Sequence, residues 1–254
     1  MKQSFCTDTP IEETIQKAAT CADMRKKLAE ALGDKSRLVR EYTAQAMVGL
    51  ARENVELIQD FSDDIIDALN RPESLTRYSM IEMIGELAET QPKVVVDAYE
   101  ALQECLYDED SGTVRLYAFR TLARYGATGP ARSVKVWPDL SMVLRCFHGD
   151  AEFIAMMNET IKMLDGRADT SVKEAAVTLF AFDAEHARGE LRKKAETISG
   201  FAPEVLARIN KENEEKAKAA SAAKEAQKAA AEVDVEENDD CDDDATDGAT
   251  EESK

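Results

Sequence analysis

The stretch Leu38-Val39-Arg40-Glu41-Tyr42-Thr43-Ala44-Gln45-Ala46-Met47 returns twice further along the chain. The second copy is Leu75-Thr76-Arg77-Tyr78-Ser79-Met80-Ile81-Glu82-Met83-Ile84. The third is Thr113-Val114-Arg115-Leu116-Tyr117-Ala118-Phe119-Arg120-Thr121-Leu122. Counted from each arginine, positions +3, +4, +7 and +10 are mostly small or apolar. They are Thr43, Ala44, Met47 and Leu50, then Met80, Ile81, Ile84 and Leu87, then Ala118, Phe119, Leu122 and Tyr125. That spacing is one face of an α-helix. The arginines recur after 37 and then 38 residues, a period that belongs to a stacked helical repeat.

Working outward, each of these helices follows a short polar turn and another amphipathic segment. Val55 to Leu69 precedes the second, with Leu57, Ile58, Phe61, Ile65, Ile66 and Leu69 at helical spacing. Val94 to Leu106 precedes the third and is opened by Pro92, a residue tolerated in a helix's first turn. Asp34 and Ser36, or Ser111 with Gly112, supply helix-starting residues in the turns.

A helix pair of this length, with a V-R-x-x-A-A-like start to its second helix, resembles a HEAT repeat. Asp34, six residues before Arg40, matches that family's Asp-turn-Arg pattern. Glu109 holds the equivalent place before Arg115, with Asp108 adjacent, whereas the second repeat departs with Arg71 there and Asn70 beside it. The resemblance covers residues 22–126. It implies an all-α fold, a right-handed α-solenoid of antiparallel helix pairs. It also implies a structural role for Arg40, Arg77 and Arg115, each bonding across to the acidic turn of a neighbouring repeat.

Beyond residue 126 the period blurs. Asp150 to Leu164 keeps the apolar spacing through Phe153, Ile154, Met157, Ile161 and Leu164, but has no arginine in the signature place. Ser171-Val172-Lys173-Glu174-Ala175-Ala176-Val177 copies the motif with lysine for arginine, 58 residues after Arg115. That distance is not a whole number of periods, so an extra helix or a degenerate repeat is expected between them. Four to five pairs are expected through about residue 199, because a stack needs several units to bury its faces.

The expected organisation is a repeat domain over 1–200, a charged Ala-rich helix or linker over 201–232, and a disordered acidic tail over 233–254. Ala217 to Ala231 holds nine alanines among Lys and Glu with no apolar stripe, which reads as an exposed, marginal helix. The tail carries eleven acids and one lysine, ten of the net −19 charges, and too few apolar residues to fold. Residues 1–202 hold the other −9 and residues 203–232 are neutral. Such a surface repels phosphate backbones, so non-specific nucleic-acid binding is disfavoured. Asp243, Asp247 and Gly248 occupy three places of a calcium loop, but Ala245 and Lys254 stand where ligands are needed.

Five cysteines, an odd number without a C-x-x-C, read as reduced thiols of a cytoplasmic protein. Cys21, Cys105 and Cys146 are expected to pack as small hydrophobes. No apolar run suggests a signal peptide or a membrane span. Only His148 and His186 offer imidazole, neither in a Cys/His or His-Glu cluster, and no Gly-rich phosphate loop occurs. The expectation is no enzyme, no metal and no cofactor.

One local feature stands out. Ser111 to Pro138 contains no acid and five bases, Arg115, Arg120, Arg124, Arg132 and Lys135, with Tyr117, Tyr125 and Trp137 among them. An anion or acidic-peptide site is one reading, a counter-charge to acidic helices the other. The expected function is a monomeric protein-binding scaffold for a protein or peptide of acidic or mixed charge. Its candidate contact residues are Arg120, Arg124, Arg132, Lys135, Trp137, Arg37, Glu82 and Glu86, with Glu41 and Gln45 on the same helix row. The alternative is a nucleic-acid-associated protein using the basic island, with the acidic tail as internal competitor.

Overall fold

The computed structural model describes residues 7–236, with side chains through residue 224. The helices are α1 (Ile11–Thr20), α2 (Ala22–Ala31), α3 (Arg37–Glu53), α4 (Ser62–Asp67), α5 (Ser74–Leu87), α6 (Pro92–Asp97) and α7 (Tyr99–Leu106). They continue as α8 (Gly112–Ala127), α9 (Pro130–Cys146), α10 (Phe153–Asp165), α11 (Thr170–His186), α12 (Gly189–Ser199) and α13 (Pro203–Glu236). No strand occurs among the described residues.

Burial explains the two-layer arrangement. Helices α3, α5 and α8 each bury at least eight residues, far more than the single stripe of a surface helix. A helix covered on several sides needs neighbours both in its own row and in a second layer. In the first row α1 packs on α3, α3 on α5, α5 on α8, α8 on α10 and α10 on α12. In the second layer α2 lies on α3, α4 with its flanking turns on α5, α6 and α7 against α8, α9 between α8 and α11, and α11 on α12. Five helix pairs therefore follow α1, and α10 and α12 continue the row that the three signature arginines began. The core between the layers is continuous, from Leu28, Met47 and Leu50 through Met80, Ile84, Phe119 and Leu122 to Phe153 and Phe180. Each such side chain contributes roughly 1.5–3 kcal/mol by leaving water.

The row helices approach closely where a glycine allows it. A Cβ on Gly85 of α5 would sit 2.7 Å from Thr121 Oγ1 of α8. That hydroxyl is itself committed, donating to the Ile81 carbonyl at 2.9 Å. Gly85→Val should therefore wedge the α5–α8 contact and cost about 1–3 kcal/mol. A thermal melt followed by circular dichroism should show a midpoint several degrees lower.

Several expectations are corrected in detail. Val55 to Leu69 is not one helix: short 3-10 turns at Val55–Leu57, Gln59–Phe61 and Ala68–Asn70 flank α4. Asp60, Asp63, Asp64 and Asp67 crowd one another there, and burial with the charges of Asp67 and Asp63 raises the Asp64 carboxyl. Like charges three and four apart weaken a helix. The segment after Pro92 is also interrupted, between α6 and α7 at Ala98, just past the β-branched run Val94-Val95-Val96. The motif copy around Lys173 lies on α11, in the second layer rather than the row. Its ammonium stands 5.8 Å from the Phe201 ring instead of reaching an acidic turn.

Of the three cysteines expected inside the core, Cys105 alone is buried; Cys21 and Cys146 sit at helix ends and are exposed. Burial pushes the Cys105 thiol up to about 11, so little thiolate is available near neutral pH. Reaction with a water-soluble disulfide reagent at pH 8 should label Cys21 and Cys146 quickly and Cys105 only on denaturation, as read by peptide mass mapping.

Contacts divide the chain into two compact units, with the boundary after Leu206. The second begins in α13, whose side chains from Lys211 to Lys224 are all exposed. Ala, Lys and Glu keep it helical by propensity, with Lys211 and Glu215 one turn apart at 4.0 Å. The first four residues of the expected disordered tail, 233–236, belong instead to the end of α13; the rest of the tail and the near-calcium loop at Asp243, Asp247 and Gly248 lie outside the described residues.

Candidate functional site

The signature arginines form a ladder of clamps between repeats. Arg40 Nε donates to Glu73 at 3.2 Å, and its Nη2 pairs with the same carboxylate. Arg77 Nη2 lies 2.7 Å from Asp108. Arg115 Nε donates to Glu152 at 2.9 Å. Each carboxylate belongs to the turn before the next row helix. Backwards, Arg40 and Arg115 hold their own turns by donating to the carbonyls of Asp34 and Asp108, both at 2.7 Å. The Asp34 carboxylate, six residues before Arg40, serves its own turn, accepting from the Ser36 amide at 2.7 Å. Where α3, α5 and α8 carry arginine as their fourth residue, α10 carries Met156, which is fully buried. The clamp ladder ends there.

A second set of charges lies one helical turn or more further along the same row. Arg52 of α3 reaches Glu82 of α5 at 2.6 Å, and Arg124 of α8 reaches Glu86 of α5 at 2.5 Å. Arg120 of α8 meets Glu159 of α10 at 3.2 Å, and Lys162 shares that carboxylate at 3.0 Å. Between these pairs the rings of Tyr78 and Tyr117 approach with centroids 5.3 Å apart, and the Arg120 guanidinium lies 4.9 Å from the Tyr117 ring. The Tyr78 phenol is raised by burial first, then by Tyr117 and the carboxylates of Glu82 and Glu41. The Glu82 bond raises Arg52 in turn. Together these polar and aromatic side chains form one strip along the row.

Glu82, Glu86, Arg120 and Arg124 are thus brought together on α5 and α8. Arg37 stands apart at the start of α3, holding Glu41 at 2.9 Å. The basic island is not one patch. The turn at Gly129-Pro130 reverses the chain, so Arg132, Lys135 and Trp137 lie on α9 in the other layer. There Arg132 donates to Thr128 at 2.6 Å and lies 5.4 Å from the Tyr125 ring. Lys135 stands 4.4 Å from the Tyr99 ring. Arg52, Tyr78, Glu159, Lys162 and Lys194 joined the row without being singled out from the sequence. Arg52, Tyr78 and Glu159 meet their partners about one repeat away, and Glu159, Lys162 and Lys194 lie past residue 126, where the period gives no register.

No family model matches the sequence, and no curated protein does. Solved structures do. An engineered protein from a structural genomics consortium matches with TM-score 0.59 at 19% identity, over 80% of this chain and 94% of its own. A designed armadillo repeat protein in complex with the peptide (KR)4 matches with TM-score 0.59 at 19% identity, over 77% and 95%. The fold is an armadillo/HEAT-like α-solenoid. A further set of computationally designed armadillo repeat proteins for modular peptide recognition matches this solenoid with TM-score 0.58 at 16% identity, over 75% and 91%. Among its described residues no helix is long and apolar enough to cross a membrane.

Proposed function

We propose that the solenoid is a non-catalytic protein-binding scaffold that grips an extended segment of a partner along the row formed by α3, α5, α8, α10 and α12. The observation that carries this reading is the strip of Glu82, Glu86, Tyr78, Tyr117, Arg120 and Arg124. It is half exposed, and ion pairs hold its side chains in place rather than leaving them free in solvent. Rigid aromatic and guanidinium groups recur at the energetic centres of interfaces because little conformational entropy is lost on contact. That one structural neighbour holds a peptide supports a peptide-like partner. The nucleic-acid alternative is weakened by the division of the basic island between two layers and by the engagement of its bases with acids, hydroxyls and rings.

The test is a tagged pull-down from native lysate with the wild-type chain, a row variant carrying Tyr78→Ala and Tyr117→Ala, and a second-layer variant carrying Val134→Ser and Met142→Ser. Partners should be lost with the row variant and retained by the second-layer one. The opposite pattern would place the binding face on α9.

A further inference from the structure

On most of the row each base has its own acid: Arg52 has Glu82 and Arg124 has Glu86. The balance fails in one place. Between α8, α10 and α12 the surface sinks into an open depression of about 410 Å³, whose walls include Arg120, Lys162 and Lys194 but only one acid, Glu159. That carboxylate is 6% exposed and already divided between Arg120 and Lys162. Three cations and one anion leave a formal excess of two positive charges, in a unit that is otherwise acidic.

Lys194 is the telling member. It is half-buried, projecting from α12, and no acid among the described residues lies within ion-pair distance of it. The nearby acid on its own helix, Glu196, is taken by Arg192 at 2.8 Å. A partly buried ammonium with no acid beside it among the described residues has lost hydration that none of them replaces. Ala155 and Ile161 form the apolar part of the lining, which lowers the local dielectric and strengthens any charge pairing made there. Asn158 and Thr197 add neutral hydrogen-bonding groups beside the cations.

We infer that this depression seats the carboxylates of an acidic, extended peptide segment of a partner protein, paired with Lys162 and Lys194. The inference rests on the reading of the row as the gripping face, and it assigns that face a direction. The acidic portion of the partner lies over α10 and α12, where bases are in excess. The portion over α3 and α5 meets Glu41, Glu82 and Tyr78. A nucleic-acid strand suits the row less well, because its evenly spaced phosphates would run from the three cations straight onto Glu82 and Glu86.

Three fluorescein-labelled probes separate the possibilities by anisotropy with the full chain at low salt: the peptide (Asp-Glu)4, the peptide (Lys-Arg)4 and an eight-nucleotide oligothymidylate. The acidic peptide should bind, and the double variant Lys162→Glu/Lys194→Glu should weaken it roughly tenfold or more, since both charge-assisted contacts reverse sign. Lys26→Glu/Lys27→Glu, the same change of charge at two exposed positions of α2, should leave it within about twofold. Lys162→Glu also sets a like charge beside the nearly buried Glu159, so its melt by circular dichroism should fall slightly, whereas Lys194→Glu alone should melt with wild type and still weaken the acidic peptide. Acidic-peptide binding that ignores the double variant overturns the assignment of the depression and leaves the gripping row intact. Preference for (Lys-Arg)4 overturns the acidic partner while keeping a peptide-binding row, and tighter oligothymidylate binding overturns the peptide partner itself. Failure of all three probes overturns the inference, while the row remains to be judged by the pull-down.

Discussion

Replacing Glu73 with alanine should destabilise the solenoid by about 3–5 kcal/mol, with the result near the lower end. The side chains of Arg40 and Glu73 are only 11% and 5% exposed, so water cannot take over the role of the lost carboxylate. Arg40 keeps its bonds to the carbonyls of Asp34 and Lys35 at 2.7 and 3.1 Å, which softens the penalty of an unpaired buried charge. The matching change Glu152→Ala should cost less, because Asp150 stands 3.9 Å from Arg115 as a reserve partner. Glu196→Ala, which breaks the exposed pair with Arg192, should matter by less than about 1 kcal/mol. Urea unfolding of the three variants should reproduce that order.

The same pair sets a pH dependence. The Arg40 hydrogen bond is the largest influence on the Glu73 carboxyl and holds it below its usual value. A depressed carboxyl contributes stability that is fully present above its unfolded value and is lost as pH falls through the folded one. Wild-type stability should therefore decline on acidification below about pH 4.5, the ordinary glutamate value. In Glu73→Gln that part of the decline should vanish. Stability curves that stay parallel from pH 7 to pH 3 would show that the clamp does not act through its charge.

Phe119→Ala should be at least as damaging, about 3–5 kcal/mol. Phe119 is fully buried near the middle of α8, the helix that touches α5, α7, α9 and α10. Removing its ring leaves a void that four packed helices cannot all collapse into. In a quasi-one-dimensional stack each repeat leans on its neighbours, so a weak central repeat also loosens the coupling between the two ends. Denaturant titration should show a lower midpoint together with a broader transition than wild type. A midpoint unchanged within error would mean that α8 is not the hub of the stack.

The repeat itself was legible because Arg40, Arg77 and Arg115 serve the same geometric purpose at a fixed period. The resemblance pointed each of them to the acidic turn of a neighbouring repeat; which carboxylate stands there, Glu73, Asp108 or Glu152, is set by how one repeat sits on the next. The break in the period after Arg115 has a physical cause as well. Met156 occupies the signature place in α10, so the fourth pair is held by apolar burial without a clamp, while the arginine-like motif at Lys173 belongs to the other layer. The basic island misleads for a similar reason: residues contiguous in sequence are separated by the turn at Gly129-Pro130. The cationic depression was invisible, because Arg120, Lys162 and Lys194 come from three helices of the row.

The row of α3, α5, α8, α10 and α12, and not the second layer, is the proposed binding face. Hydrogen–deuterium exchange of the full chain, alone and bound to a partner recovered in the pull-down, tests it most directly. Slowed exchange should appear in α5, α8, α10 and α12, with α9 and α11 unchanged. Protection confined to α9 and α11 would contradict it.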